Sequence, residues 1–134
     1  MGKYLVDTTV FIDHLRGKKQ ATEFLKQEGL VVSLVTVVEL IQGSRNKAEQ
    51  KKVKKLVDQF EIHWGSARIN RLAVELLGKY FLKFNLCFLD ALVGATALES
   101  NLVLATDNVK HFEFISGLKA VRPADVNLYK IENA

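Results

Sequence analysis

The chain has 134 residues, 49% of them hydrophobic and 25% charged, with a formal net charge of +4 and one cysteine. This length suits a single domain over 1–134, which on folding buries roughly two-thirds of the surface exposed by the unfolded chain. The composition excludes a disordered or disulfide-stapled chain, and no apolar run reaches the roughly 18 to 20 residues needed to span a bilayer, so a cytoplasmic location is expected.

Lys3 to Val6 forms a short apolar run that gives way to Asp7-Thr8-Thr9, the pattern of a buried strand ending in polar side chains. Val10 to Leu15 has helical spacing and stops at Arg16-Gly17; a second short helix is expected from about Gln20 to Gln27. Leu30 to Ser33 is β-branched enough for a strand, Thr36 to Ile41 reads as a helix ending near Gly43, and a basic helix follows from about Lys47 to Phe60. In that basic helix Val53, Leu56, Val57 and Phe60 carry the apolar side, and the lysines are read either as a solvated face or as a phosphate-facing patch.

Glu61 to Trp64 alternates as a third strand, and Ser66 can cap a long helix running to about Phe84. Cys87 lies in the apolar run Asn85 to Leu89, where a thiol is expected to act as a small hydrophobe. A helix over Leu89 to Ser100 with Asn101 as its terminator, a buried strand over Leu102 to Ala105, and an edge strand over Lys119 to Val121 complete the order. Pro123, the sole proline, falls in the tail after that edge strand. Strands separated by helices throughout predict an α/β fold with a mainly parallel sheet covered on both faces. Ligands of such sheets bind beyond the strands' carboxyl ends, where Asp7 and Asp107 fall.

Four acidic residues stand in apolar surroundings: Asp7, Glu39, Asp90 and Asp107. A carboxylate stripped of water must recover hydration through hydrogen bonds, a cation or protonation, and several converging carboxylates repel one another unless a divalent cation joins them. Hard oxygen donors suit magnesium and manganese. Each position also has a purely structural reading. Thr36-x-x-Glu39 is a capping-box pattern, Asp90 can complement a helix dipole, Asp7 can cap a helix, and Asp107-Asn108 is an ordinary turn pair. The small residues Gly94 and Ala97, one and two turns beyond Asp90, leave room on that helix face for a phosphate and its metal. His14, His63 and His111 are scattered and read as surface or packing residues.

The segments Leu5 to Asp13 with Leu15-Arg16-Gly17, Val35 to Gly43, Asp90 to Leu98 and Leu104 to Phe112, in this order and spacing, resemble the PIN domains of the VapC toxin family over essentially the whole chain. The resemblance implies a three-layer α/β/α sandwich and an endoribonuclease that uses Mg2+ or Mn2+ to hydrolyse RNA phosphodiester bonds, leaving a 5′-phosphate and a 3′-hydroxyl. It implies that Asp7, Glu39 and Asp90 bind the metal and that Thr9 supports Asp7. Family members often have a threonine, one residue, and then aspartate or asparagine. That pattern, starting at Thr106, puts Asn108 in register and leaves Asp107 as the alternative fourth position, ligating directly or through water. Arg16, Lys18 and Lys19 are candidates for phosphate contacts that hold the RNA without choosing its sequence. The family further implies a homodimer and a cognate antitoxin, VapB-like, that inserts a basic side chain into the acidic pocket. Rival readings are a housekeeping RNA-processing nuclease, a non-catalytic RNA-binding module, and a phosphotransfer protein of the dehalogenase or receiver kind. Thr9 stands where the dehalogenases want a second aspartate, and the receivers' acidic pair and lysine are not found.

Overall fold

A computed structural model describes residues 3–126. Five short strands, β1 (Tyr4–Val6), β2 (Leu30–Ser33), β3 (Glu61–His63), β4 (Val103–Ala105) and β5 (Ala120–Val121), form one sheet in the order β3-β2-β1-β4-β5. Every adjacent pair is parallel, so the sheet expected to be mainly parallel is wholly so among the described residues. No hairpin joins neighbouring strands; each connection carries a helix or a 3-10 turn.

The pleat assigns the two faces. Leu5, Val31 and Leu104 are in register and bury against α5 (Ala67–Phe84) and α6 (Phe88–Glu99), together with Phe112 and Ile115. Val6, Val32 and Ala105 point the other way, against α1 (Thr8–Leu15), α2 (Lys19–Phe24), α3 (Leu34–Gln42) and α4 (Lys47–Val57). Since side chains alternate along a strand, two to four residues per strand suffice to build both halves of a three-layer α/β/α sandwich. No helix among the described residues is long and apolar enough to cross a membrane.

Most expected elements fall within two or three residues of their observed ends, and the departures have local causes. α3 begins at Leu34 because Ser33 caps it, its Oγ accepting from the Thr36 N–H at 3.3 Å. Thr36 is therefore buried in the first turn and Thr36-x-x-Glu39 is not a capping box. α4 ends at Val57, short of Phe60, whose ring packs edge-on against Phe11 at 5.3 Å from beyond the helix. Its lysines 51, 52, 54 and 55 are exposed while Val53 and Val57 are buried, the solvated-face arrangement. Ser66 caps α5 as expected, and Asn101 takes the left-handed conformation (φ 54°) just past α6.

Gly94 and Ala97 do not open a space for phosphate. Both are buried, and a methyl added at Gly94 would lie 3.3 Å from Ile115 Cδ1 and 3.7 Å from Leu118 Cδ2. Smallness there lets α6 close on α5 and the 112–118 turn. Gly94→Val is expected to lower stability by about 1 to 3 kcal/mol through overpacking, measured as a reduced urea midpoint. An unchanged midpoint would show that the contact yields freely.

Candidate active site

Asp7 follows β1 at the centre of the sheet, where chain order reverses: β2 lies on one side of β1 and β4 on the other. In parallel sheets this switch point leaves a crevice beyond the carboxyl ends. Asp7 occupies the N-cap position of α1 but its side chain makes no capping bond. Instead Oδ2 accepts from Thr9 Oγ1 at 3.0 Å and from Thr106 Oγ1 at 2.8 Å. Each hydroxyl also receives a backbone N–H from the turn after β4, Asp107 N to Thr9 Oγ1 at 3.1 Å and Asn108 N to Thr106 Oγ1 at 3.0 Å. The Asp7 N–H donates to Ala105 O at 2.9 Å, tying the two strand ends together. Both hydroxyls converge on one oxygen, so Oδ1 accepts nothing from the described residues, and since no buried side-chain oxygen among them lacks a partner, Oδ1 is open to solvent.

Glu39 is half-buried on α3 and is brought to the same region by Thr8, which donates to Glu39 Oε1 at 2.7 Å. Thr8 Oγ1 also lies 3.0 Å from Thr36 Oγ1, so a buried pair of hydroxyls backs this carboxylate. Asp90 is in the first turn of α6, which begins at the cap formed by Cys87, whose Sγ accepts from Asp90 N at 3.5 Å. The exposed Cys87 is thus a helix cap and not the small core hydrophobe expected. Burial raises the Asp90 carboxyl above the ordinary carboxylate range and the charge of Asp7 adds to the rise; the Cys87 contact and His111 oppose it. His111 Nδ1 lies 3.5 Å from Asp90 Oδ2.

The chemistry of this donor set fits a hard divalent cation. Asp7 carries an unclaimed carboxylate oxygen, and Asp90 is a carboxylate whose ionisation is opposed by dehydration and by Asp7. Among the described residues, no three acidic, histidine or cysteine side chains form a metal-binding group as they stand.

The profile of the PIN domain family matches residues 4–116. The chain belongs to the PIN-domain family. It is similar to ribonuclease VapC10 of Mycobacterium tuberculosis, 38% identical over 120 residues that cover 86% of this chain and 90% of the relative. Ribonuclease VapC1 of Methanocaldococcus jannaschii is 32% identical over 121 residues, covering 87% and 85%. Among solved structures, a toxin–antitoxin complex from Klebsiella pneumoniae has a chain 28% identical with a TM-score of 0.78, covering 92% of this chain and 100% of that one. A chain of VapBC-1 from nontypeable Haemophilus influenzae shares the fold at 23% identity and a TM-score of 0.76, covering 90% and 98%.

Within this PIN domain the fold places the residues singled out from sequence as follows. Asp7, Thr9 and Thr106 share one hydrogen-bond network, with Asp107 and Asn108 joined to it through their backbone. Asp90 is close enough to feel the Asp7 charge, and Glu39 is reached through Thr8, the residue next to Asp7. Arg16, Lys18 and Lys19 line an open cleft together with Thr9, Asp107 and Asn108. Lys18 pairs with Asp13 at 3.2 Å. Sequence reasoning missed Thr8 and His111. The Thr8-Thr9 pair after Asp7 was a signal for the first, because consecutive residues at a helix start point in different directions. Nothing local marks His111.

The raised Asp90 carboxyl has a consequence for the metal-free protein. A folded-state pKa above the unfolded value means that the native state binds the proton more tightly, so stability falls as pH rises from the unfolded carboxylate range through the folded one. Asp90→Asn is therefore expected to raise the melting temperature of the chelator-treated protein by a few degrees at pH 7, with the gain vanishing near pH 4. Thermal scans across that range check it; a gain equally large at pH 4 would mean that charge is not the cause.

Proposed function

We propose that this chain is a metal-dependent endoribonuclease, the toxin of a type II toxin–antitoxin pair, acting on RNA in the cytoplasm with Mg2+ or Mn2+. The observation that carries this reading is the Asp7 carboxylate, held through one oxygen by Thr9 and Thr106 and left with the other free, beside a half-buried Asp90 whose charge it opposes. The names of the ribonuclease relatives support the substrate class.

Asp7 and Asp90 would hold the metal, with Glu39 binding directly or through water and Asp107, which lines the adjoining cleft, as a fourth group. A bound divalent ion supplies charge neutralisation for the scissile phosphate and makes a water acidic enough to attack near neutral pH. The protein's own part is orientation. Thr9 and Thr106 aim Asp7, Thr8 aims Glu39, and the Cys87 cap fixes the turn that carries Asp90. Arg16 and Lys19 hold the flanking strand by its phosphates, and Lys18 joins them when it leaves Asp13. A cognate antitoxin presenting a basic side chain to the acidic pocket would silence the enzyme, and a second copy of the chain would complete the assembly. Toxin–antitoxin complexes among the structural relatives support the antitoxin.

Defined transfer and ribosomal RNAs incubated with the purified chain should be cut with Mn2+ or Mg2+, left intact with chelator, and cut again when metal is restored, with 5′-phosphate ends. Cleavage that survives exhaustive chelation would remove the metal mechanism. Growth arrest on expression, relieved by the product of a neighbouring reading frame, separates a toxin from an RNA-processing enzyme.

A further inference from the structure

The short segment from Thr106 to Phe112, which follows β4, reaches two carboxylates that stand on different elements. Thr106 Oγ1 donates to Asp7 Oδ2 at 2.8 Å, beyond the end of β1, and His111 Nδ1 lies 3.5 Å from Asp90 Oδ2, in the first turn of α6. We propose that His111 is the positioning residue of Asp90, its Nδ1–H holding Oδ2 so that Oδ1 is left for the cation. The inference rests on the metal-dependent reading above and adds to it how the second carboxylate is aimed.

The other carboxylates of the set are each steered by hydroxyls: Asp7 Oδ2 accepts from two and Glu39 Oε1 from one. Asp90 has no such hydroxyl. Its backbone N–H is fixed by Cys87 Sγ, which sets the turn but leaves the carboxylate to rotate about its own side-chain bonds. Among the described residues, one nitrogen donor meets the Asp90 carboxylate, and it is His111 Nδ1. The result repeats the arrangement at Asp7, with one oxygen held and the other left.

His111 is itself held from both sides. Its N–H donates to Asn108 O at 2.9 Å, and the N–H groups of Phe112 and Glu113 donate to Val109 O at 3.0 and 2.9 Å. Phe112, 1% exposed, anchors the segment in the core shared with α5 and α6. At the other end Asp107 N and Asn108 N bond to Thr9 and Thr106, the two hydroxyls that aim Asp7. The imidazole therefore stands on a braced turn tied to the Asp7 network, and a brace that reaches both carboxylates sets their spacing for an ion between them. The His111 side chain is 61% exposed and that of Asp90 29%, and so open a pair adds little stability. Direction is the effect to look for.

The test is Mn2+ titration calorimetry without RNA, together with cleavage rates over a range of Mn2+ and RNA concentrations, for the wild-type chain, His111→Leu, His111→Asn and His111→Gln. Asparagine puts an amide N–H near the place of Nδ1, whereas glutamine carries its own out toward the place of Nε2. His111→Leu should weaken Mn2+ binding about tenfold, the effect of removing a partner that orients a metal ligand. The Mn2+ needed for half-maximal cleavage should rise to match, with KM for RNA unchanged at saturating Mn2+. His111→Asn should recover most of the loss and His111→Gln little of it. Wild-type Mn2+ binding in His111→Leu, or His111→Asn no better than His111→Leu, would overturn the positioning role. So would a change confined to KM for RNA, which would make His111 a contact to the substrate. A wild-type chain that binds Mn2+ but cuts no RNA would overturn the ribonuclease reading, while the calorimetric order of the four chains still decides the role of His111. A wild-type chain that binds no Mn2+ would overturn both.

Discussion

Asp7→Asn is expected to lower RNA cleavage by about two to three orders of magnitude, the loss of several kcal/mol of charge stabilisation at about 1.4 kcal/mol per factor of ten, without unfolding the chain. Asp7 is 7% exposed, and its Oδ2 is satisfied by Thr9 and Thr106. An asparagine keeps an oxygen for those two hydroxyls and puts an NH2 where the free Oδ1 stood. That nitrogen has no lone pair to offer a cation, and the site loses one negative charge. Removing a carboxylate that opposes Asp90 also relieves repulsion in the metal-free state, so the melting temperature should hold or rise. Steady-state cleavage, Mn2+ titration calorimetry and thermal melting on the same preparation check the three parts. A variant that cuts RNA within tenfold of the wild type would remove Asp7 from the mechanism.

Thr106→Val should cost about 2 to 3 kcal/mol of stability and slow cleavage by about ten- to a hundredfold. Thr106 is fully buried; its hydroxyl donates to Asp7 Oδ2 at 2.8 Å and accepts from Asn108 N at 3.0 Å. Valine matches the shape and leaves a buried carboxylate oxygen with one donor fewer, a larger penalty than the net worth of the bond itself. For a chain of this length the loss reads as roughly a 10 °C fall in melting temperature. Because Asp7 would be misaimed but present, high Mn2+ should restore part of the rate, which it should not do for Asp7→Asn. Thr106→Ser should recover both stability and rate. Wild-type melting and cleavage in Thr106→Val would show that this hydroxyl neither supports nor aims Asp7.

Several readings were legible because they depend on spacing alone. β1 and β4 announce themselves as β-branched or leucine-rich runs that stop at a polar group, Ser66 as a cap ahead of a long amphipathic stripe, and Asn101 as a terminator. Others failed where two local patterns competed. Thr36-x-x-Glu39 has the look of a capping box, but Ser33 stands three residues earlier and is already the last residue of β2, so the helix starts there. Gly94 and Ala97, small and one and two turns beyond Asp90, suggested room for a ligand; the actual neighbours of Gly94, Ile115 and Leu118, arrive from twenty or so residues downstream. Cys87 in an apolar run suggested burial, yet Leu86 beside it takes the core position and leaves the thiol at the helix start.

The order of strands and helices, the alternation that gives the central strands β1, β2 and β4 two buried faces, and the four carboxylates set in apolar context are all written along the chain, since each depends on residues a few positions apart. Which hydroxyl serves which carboxylate is not. Thr106 and Asp7 are 99 residues apart and Thr8 and Glu39 are 31 apart, and they meet because β1 pairs with both β2 and β4 at the point where the sheet reverses its order. A hydrogen bond depends on angles and on tenths of an ångström, and those are set by the packing of the whole sheet and its two helical layers, which no local pattern encodes.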